Sequence, residues 1–248
     1  MRAMQTTSNP VLSNNFWNNI PGYETMSYQG TMQKIGFLFG ITILSALVTV
    51  SIGASGNMGL MGMMTGAGAI LGFIVVLFMV LKRPANPAPG AIIYAGLEGM
   101  FVGGISFMYE GLYSGIVMQA GIGTICIIGT MYFLWSAKII KATPAFQAAI
   151  ISLTMGVVIL YVISFLLSSL TSMEVPFLHS SGPVGILLTL FILGIASMNL
   201  ILDFHFIERG ISNNSPKTGE WWAAFGLLIT VIWVYIEMLR LLSKVRNQ

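Results

Sequence analysis

Charge is what this chain has least of: 8% of its 248 residues are Asp, Glu, Lys or Arg, against roughly 25% in soluble domains. A chain so poor in charge cannot clothe a water-facing surface, so most of its outer surface must face lipid. Cysteine is nearly missing too. The one cysteine, Cys126, lies in an apolar run, which excludes an internal disulfide and a multi-cysteine metal site. No basic cluster with interleaved aromatics occurs, and a formal charge of +3 is too small to imply nucleic acid as a partner. Enzyme motifs such as GxSxG and HExxH are absent. An intramembrane aspartyl protease needs two aspartates, and this chain has only Asp203. A retinal-binding protein needs a lysine midway along its last helix, and residues 221–239 contain none. The two histidines, His179 and His205, are predicted on opposite sides of the membrane, so they do not form a metal site. A non-enzyme without a cofactor is the expectation.

What is present is apolar: 56% of the residues, with a mean hydropathy of +0.85. A bilayer-spanning helix needs about 20 such residues. Seven runs qualify, at 34–54, 58–81, 91–109, 115–137, 146–171, 183–206 and 221–242. The fold class is therefore an all-α membrane protein with seven transmembrane helices. Residues 1–32 are polar, rich in Asn, Ser and Thr, and lack the apolar stretch and cleavage site of a signal peptide. They read as a lead-in to a seven-helix domain over 33–248, with Phe16 and Trp17 suited to rest on the membrane surface. Lys82-Arg83-Pro84, Lys138 to Pro144, Ser172 to Gly182 and Glu208 to Glu220 supply the breaks.

Cytoplasmic loops retain Lys and Arg. A cytoplasmic N-terminus puts Arg2, Lys34, Lys82, Arg83, Lys138, Lys141, Arg209 and Lys217 on that side and leaves the other three connections without a basic residue. The exception is the tail, where Arg240, Lys244 and Arg246 fall outside after seven crossings. Glycine pairs four apart (Gly36/Gly40, Gly62/Gly66, Gly68/Gly72, Gly99/Gly103) point to close helix packing. The methionines, Met61, Met63 and Met64 among them, read as adaptable packing rather than a metal stripe.

Acids inside a membrane cost roughly 3 kcal/mol each on insertion scales and usually face an interior or a watery path. Three qualify: Glu98, Asp203 and Glu237. The predicted topology puts Glu98 and Asp203 in the cytoplasmic half, where they could share one polar site. Asp203 also has a plainer reading, as an interfacial residue beside His205, Glu208 and Arg209. Glu237 has one as well, pairing with Arg240 one turn on. Glu98 has no basic neighbour along its own helix. Low-dielectric surroundings favour the neutral form of a carboxyl, so a proton could decide how such helices fit together.

Four stretches carry a family resemblance: YAGLEGMFVGGIS at 94–106, MNLILDFHFIERG at 198–210, EWWAAFGLL at 220–228 and YIEMLRLL at 235–242, with SNPVL at 8–12. Together they resemble the bacterial branch of the Bax inhibitor-1 (transmembrane Bax-inhibitor-motif) superfamily. The resemblance implies a last helix central in the bundle, a bacterial inner membrane location and a pH-sensitive leak for calcium or other cations. It also implies a pair of aspartates on the last two helices as the pH sensor. Asp203 matches the first; Thr230 stands at the second position, with Glu237 about two turns further on. The family's basic partner on the second helix is missing, since 58–81 carries no charge. The expected function is a cation leak gated by protonation of Asp203, with Glu98 and Glu237 as further gate candidates. The alternative is a non-conducting membrane regulator that acts through protein partners in stress responses. A small-molecule transporter ranks third, because no inverted repeat is visible.

Overall fold

The structure is a computed structural model that describes residues 24–171, Leu178 and residues 180–247. Phe16, Trp17, His179 and the 8–12 motif lie outside the described residues. Seven helices are described: α1 (Tyr28–Ala54), α2 (Met58–Lys82), α3 (Ala88–Leu112), α4 (Ile116–Ser136), α5 (Pro144–Thr171), α6 (Pro183–Ser212) and α7 (Gly219–Arg246). Each is long and apolar enough to cross a membrane. The local chemistry explains their limits. Ser27 opens α1 by accepting from the Gly30 amide at 3.0 Å, and Asn57 opens α2 by accepting from the Leu60 amide at 3.1 Å. Proline, which has no amide hydrogen to leave unmet, stands first in α5 and α6. The Glu110 carboxylate accepts from the amides of Gly115 (2.6 Å) and Val117 (3.1 Å) and so closes the start of α4.

Several helices extend further than their apolar runs, two of them by six residues at one end. α1 starts at Tyr28 rather than 34, and α6 ends at Ser212 rather than 206. Polar residues such as Gln33 and Arg209 are good helix formers, so the backbone continues into the interface after the apolar signal has ended. The consequence for Asp203 is large. It lies nine residues, about 14 Å, from the end of its helix instead of about one turn.

The last helix is the centre of the bundle. Half of the most apolar window of α6 and of α7 is buried, against 17% in α1, α2, α4 and α5. α7 packs on α1, α3, α4 and α6, while α2 rests on α1 and α3, and α5 on α6. Lipid tails are as apolar as leucine, so packing has to come from close van der Waals approach and hydrogen bonds. α3 achieves this with glycine. A Cβ on Gly103 would stand 2.5 Å from the Ala46 carbonyl oxygen of α1, and one on Gly68 of α2 would stand 2.5 Å from the Leu97 carbonyl oxygen of α3. Gly36, Gly40, Gly62 and Gly66 meet nothing within 4 Å, so those two pairs face outward and pack no helix of this chain. Gly103→Val is expected to lower stability by roughly 1–3 kcal/mol through overpacking, and Gly62→Val by much less. Thermal unfolding in detergent compares them, and equal losses would contradict the wedge role of α3.

The helices alternate in direction, and contacts at both ends show which loops lie together. At one end, here the basic end, Lys217 pairs with Glu24, and Thr25 bridges Pro216 in an antiparallel pairing. The hydrogen bond to Glu24 raises the Lys217 pKa above the ordinary lysine value. This tie is therefore complete at neutral pH and is lost only as pH rises through the elevated value. Beside it, the fully buried Glu220 accepts from the Ser27 amide (2.9 Å) and hydroxyl (3.0 Å) and pairs with Lys34. This clamp fastens the start of α1 to the start of α7. Glu220→Ala leaves Lys34 and the Ser27 amide unmatched. We expect a loss of roughly 2–3 kcal/mol, reduced from the buried-pair range because Lys34 is partly exposed. Limited proteolysis near residue 27 would report the release of the segment.

At the opposite end the three basic residues of the tail are all engaged. Arg240 pairs with Glu237 at 3.1 Å. The buried Lys244 ammonium donates to the carbonyls of Leu178 (2.7 Å) and Gly185 (3.1 Å) and to the Thr189 hydroxyl (2.9 Å). Arg246 donates to the Ser114 carbonyl and the Gln119 side chain, both at 2.8 Å. The exception to the charge asymmetry thus has a physical account: these cations are tied down by protein groups.

Candidate functional site around Asp203

Polar side chains on the spanning helices mostly satisfy themselves locally. Thr42, Thr124, Thr189 and Ser197 donate to carbonyls one turn back, at 2.7–3.0 Å. Asn199 crosses from α6 to the Thr154 hydroxyl of α5 at 2.9 Å, and Ser106 of α3 meets the Tyr235 hydroxyl of α7 at 2.8 Å. Asp203 breaks this pattern. Among the described residues its Oδ2 is the one buried side-chain polar atom without a hydrogen-bond partner.

Asp203 stands in the wall of a cavity of about 540 Å³ at the basic end, lined by residues of α6 and α7 together with Val80 and Arg83. α2 does not pack on α6 or α7, and the cavity occupies that gap. Leu202, Phe206, Trp222 and Ala223 make its walls largely apolar, with Asn199 and Arg83 as the other polar groups. Across from Asp203 on α7, Oδ1 lies 3.7 Å from where a Gly226 side chain would begin. An alanine at 226 would make an ordinary contact with the acid. Thr230, one turn further along α7, is the polar neighbour of Asp203. Its hydroxyl donates to the Gly226 carbonyl at 3.2 Å, and a hydroxyl has one proton to give. That proton can turn to the Gly226 carbonyl, leaving Thr230 an acceptor for a protonated Asp203, or to the carboxylate of an ionised Asp203.

The three acids named from the sequence occupy different settings. Asp203 lines the cavity. Glu98 does not line it: its Oε2 lies 3.3 Å from the Cβ position of Gly72 on α2, with Tyr94 as its polar neighbour. Tyr94 in turn meets Phe225 edge-on, ring centroids 5.1 Å apart. The structure thus puts Glu98 at the α2–α3 contact and outside the lining of the Asp203 cavity. Glu237 is buried at the opposite end in a complete network. Its Oε1 accepts from Tyr161 of α5 at 2.6 Å, Trp233 at 3.2 Å and Arg240 at 3.1 Å, and Oε2 accepts from Arg240 at 3.2 Å. The pairing with Arg240 is the plainer of the two sequence readings of Glu237.

Arg83 is the residue that sequence reasoning missed. It reads as a helix stop before Pro84, and its backbone does end α2, in the left-handed conformation (φ 44°). The residue lines the Asp203 cavity, so a basic residue one position beyond the end of the second helix stands at that cavity. Its position directly after the 58–82 helix was the available signal. Glu220 was seen as a loop end and as part of the 220–228 stretch, and its clamp on Ser27 and Lys34 was not foreseen.

No group of three or more His, Cys, Asp or Glu suited to a metal ion exists among the described residues. Neither a curated protein nor a solved structure matches the chain. Residues 9–247 match the profile described as Bax inhibitor 1 like. With seven membrane-length helices, the last of them central, the chain belongs to the Bax inhibitor 1-like family of multi-pass membrane proteins.

Proposed function

We propose that this protein is a pH-sensitive leak pathway for calcium or other cations, gated by the proton on Asp203. The observation that carries the reading is the unpartnered Asp203 Oδ2 in the cavity wall. A buried polar atom without a partner costs roughly 1–3 kcal/mol. With the proton on, the acid can bond Thr230, and α6 and α7 close over it. With the proton off, the carboxylate needs water or a cation, and the cavity beside it is where either would enter. Arg83 at the same cavity supplies a positive group that an ionised Asp203 attracts, which gives α2 a reason to move toward α6.

The basic end is the cytoplasmic side in this reading, following the distribution of Lys and Arg, and the membrane is the bacterial inner membrane. Calcium flux into proteoliposomes across a pH series, for wild type and Asp203→Asn, tests the proposal.

A second reading has its own support. Between Gly226 and Glu237, α7 buries Leu227, Leu228, Val231, Ile232 and Val234, and the far end is closed by the Glu237 network. An apolar plug of this kind suits a non-conducting regulator that acts on membrane protein partners. No flux at any pH, with a stable partner co-purifying, would favour it.

A further inference from the structure

A second cavity, of about 470 Å³, lies at the basic end between the α4–α5 turn and the last turns of α6. Its lining includes Trp135, Lys138, Lys141, Thr143, His205 and Glu208. Lys138 and Lys141 are exposed, and their ammonium groups make no hydrogen bond or ion pair among the described residues, while their backbones bond Trp135 and Thr143. Glu208 is the one acid present, 3.9 Å from His205 Nδ1. Two ammonium groups against one carboxylate leave the lining net positive.

The setting below this cavity is apolar. α4 and α5 do not pack on each other, and both rest on α6, which leaves a seam between them. At the top of the seam Tyr132 and Trp135 lie against Phe204, with centroids 5.6 and 5.7 Å apart. Aromatic rings favour the level where headgroups meet acyl chains. The turn itself shows a local rule broken. Lys138 sits at φ 56°, a left-handed conformation that glycine adopts without steric cost and lysine does not.

The geometry points to a binding site for an anionic phospholipid, its phosphate held by Lys138 and Lys141 and its acyl chains lying in the α4–α5 seam. The positive cavity fits a phosphate, and the aromatic level and apolar seam fit the rest of a lipid rather than a free ion. Thr143 adds a hydroxyl at the start of α5, where its oxygen already accepts from the Phe146 amide at 3.2 Å. Glu208 limits the site to a headgroup that approaches from the lysine side. The site is separate from Asp203 and does not depend on whether ions are conducted.

Native mass spectrometry of the purified full chain with added phosphatidylglycerol or phosphatidylcholine tests this. Wild type is expected to retain phosphatidylglycerol preferentially, and Lys138→Gln/Lys141→Gln to lose roughly tenfold in that affinity, from the contribution of basic side chains near anionic lipid. Lys82→Gln/Arg209→Gln removes the same charge elsewhere at this end and should keep the preference. Lys138→Gly relieves the turn, so it should melt no lower than wild type and still bind the lipid more weakly. Unchanged retention in the lysine variants overturns the site, and so does an equal loss in the Lys82/Arg209 control. Displacement of phosphatidylglycerol by inorganic phosphate at matched concentration would mark a small-anion site and overturn the lipid assignment.

Discussion

Replacing Asp203 with Asn should flatten the pH profile of cation flux and hold it at the acid-limb value of the wild type. Asn is the neutral isostere of the protonated acid: its amide can donate to Thr230 and it cannot ionise. The size of the effect follows from the orphaned oxygen. Leaving a buried polar atom unmet costs roughly 1–3 kcal/mol, which corresponds to about five- to 150-fold in an equilibrium between two arrangements. The wild type should therefore show a flux contrast of at least about fivefold between its pH limits, and the variant almost none. Thr230→Val gives an independent check. It removes the neighbouring hydroxyl without touching the acid, so the pH dependence should persist with its midpoint displaced. A wild-type profile retained in Asp203→Asn removes Asp203 as the sensor.

Arg240→Met is expected to be the most destabilising single change at the opposite end. Glu237 is 1% exposed, and Arg240 is the donor to both of its oxygens. Without the guanidinium, Tyr161 and Trp233 still serve Oε1, but Oε2 keeps no partner. Removing one side of a buried pair costs roughly 3–5 kcal/mol, or about 10 °C in Tm for a chain of this length. The double variant Glu237→Gln/Arg240→Met removes both charges together and should recover most of that loss. If the double variant melts as low as the single, the damage comes from packing, because the Arg240 stem also covers the Tyr161 ring at 4.9 Å. Glu237→Gln should leave the pH profile of flux in place, which separates this clamp from the Asp203 gate.

The two acids on α6 and α7 were equally visible in the sequence and ended with opposite roles. Glu237 carried its partner in its own helix, three residues away, and that pairing was readable from spacing. Tyr161 was not, since 76 residues separate it from Glu237. Asp203 had charged residues close by in sequence, which left an interfacial reading open beside the gate reading. α6 then runs nine residues past it and turns it toward Thr230 and Gly226. Glu98 was grouped with Asp203 by predicted depth. Depth along a helix axis says nothing about which way a side chain faces, and Glu98 faces Gly72 instead.

Run length and composition alone determined the seven spans, their order and the alternation that gathers most of the basic residues at one end. Those properties depend on transferring about 20 consecutive residues into lipid, which is a sum over neighbours in the chain. The tertiary structure decided which acid stays unmatched, which glycines are wedges and which face outward, and that Arg83 joins the Asp203 cavity. Each of those depends on what another helix presents at a few ångströms. In a bundle where every outer face is similarly apolar, the order of residues does not encode which faces meet.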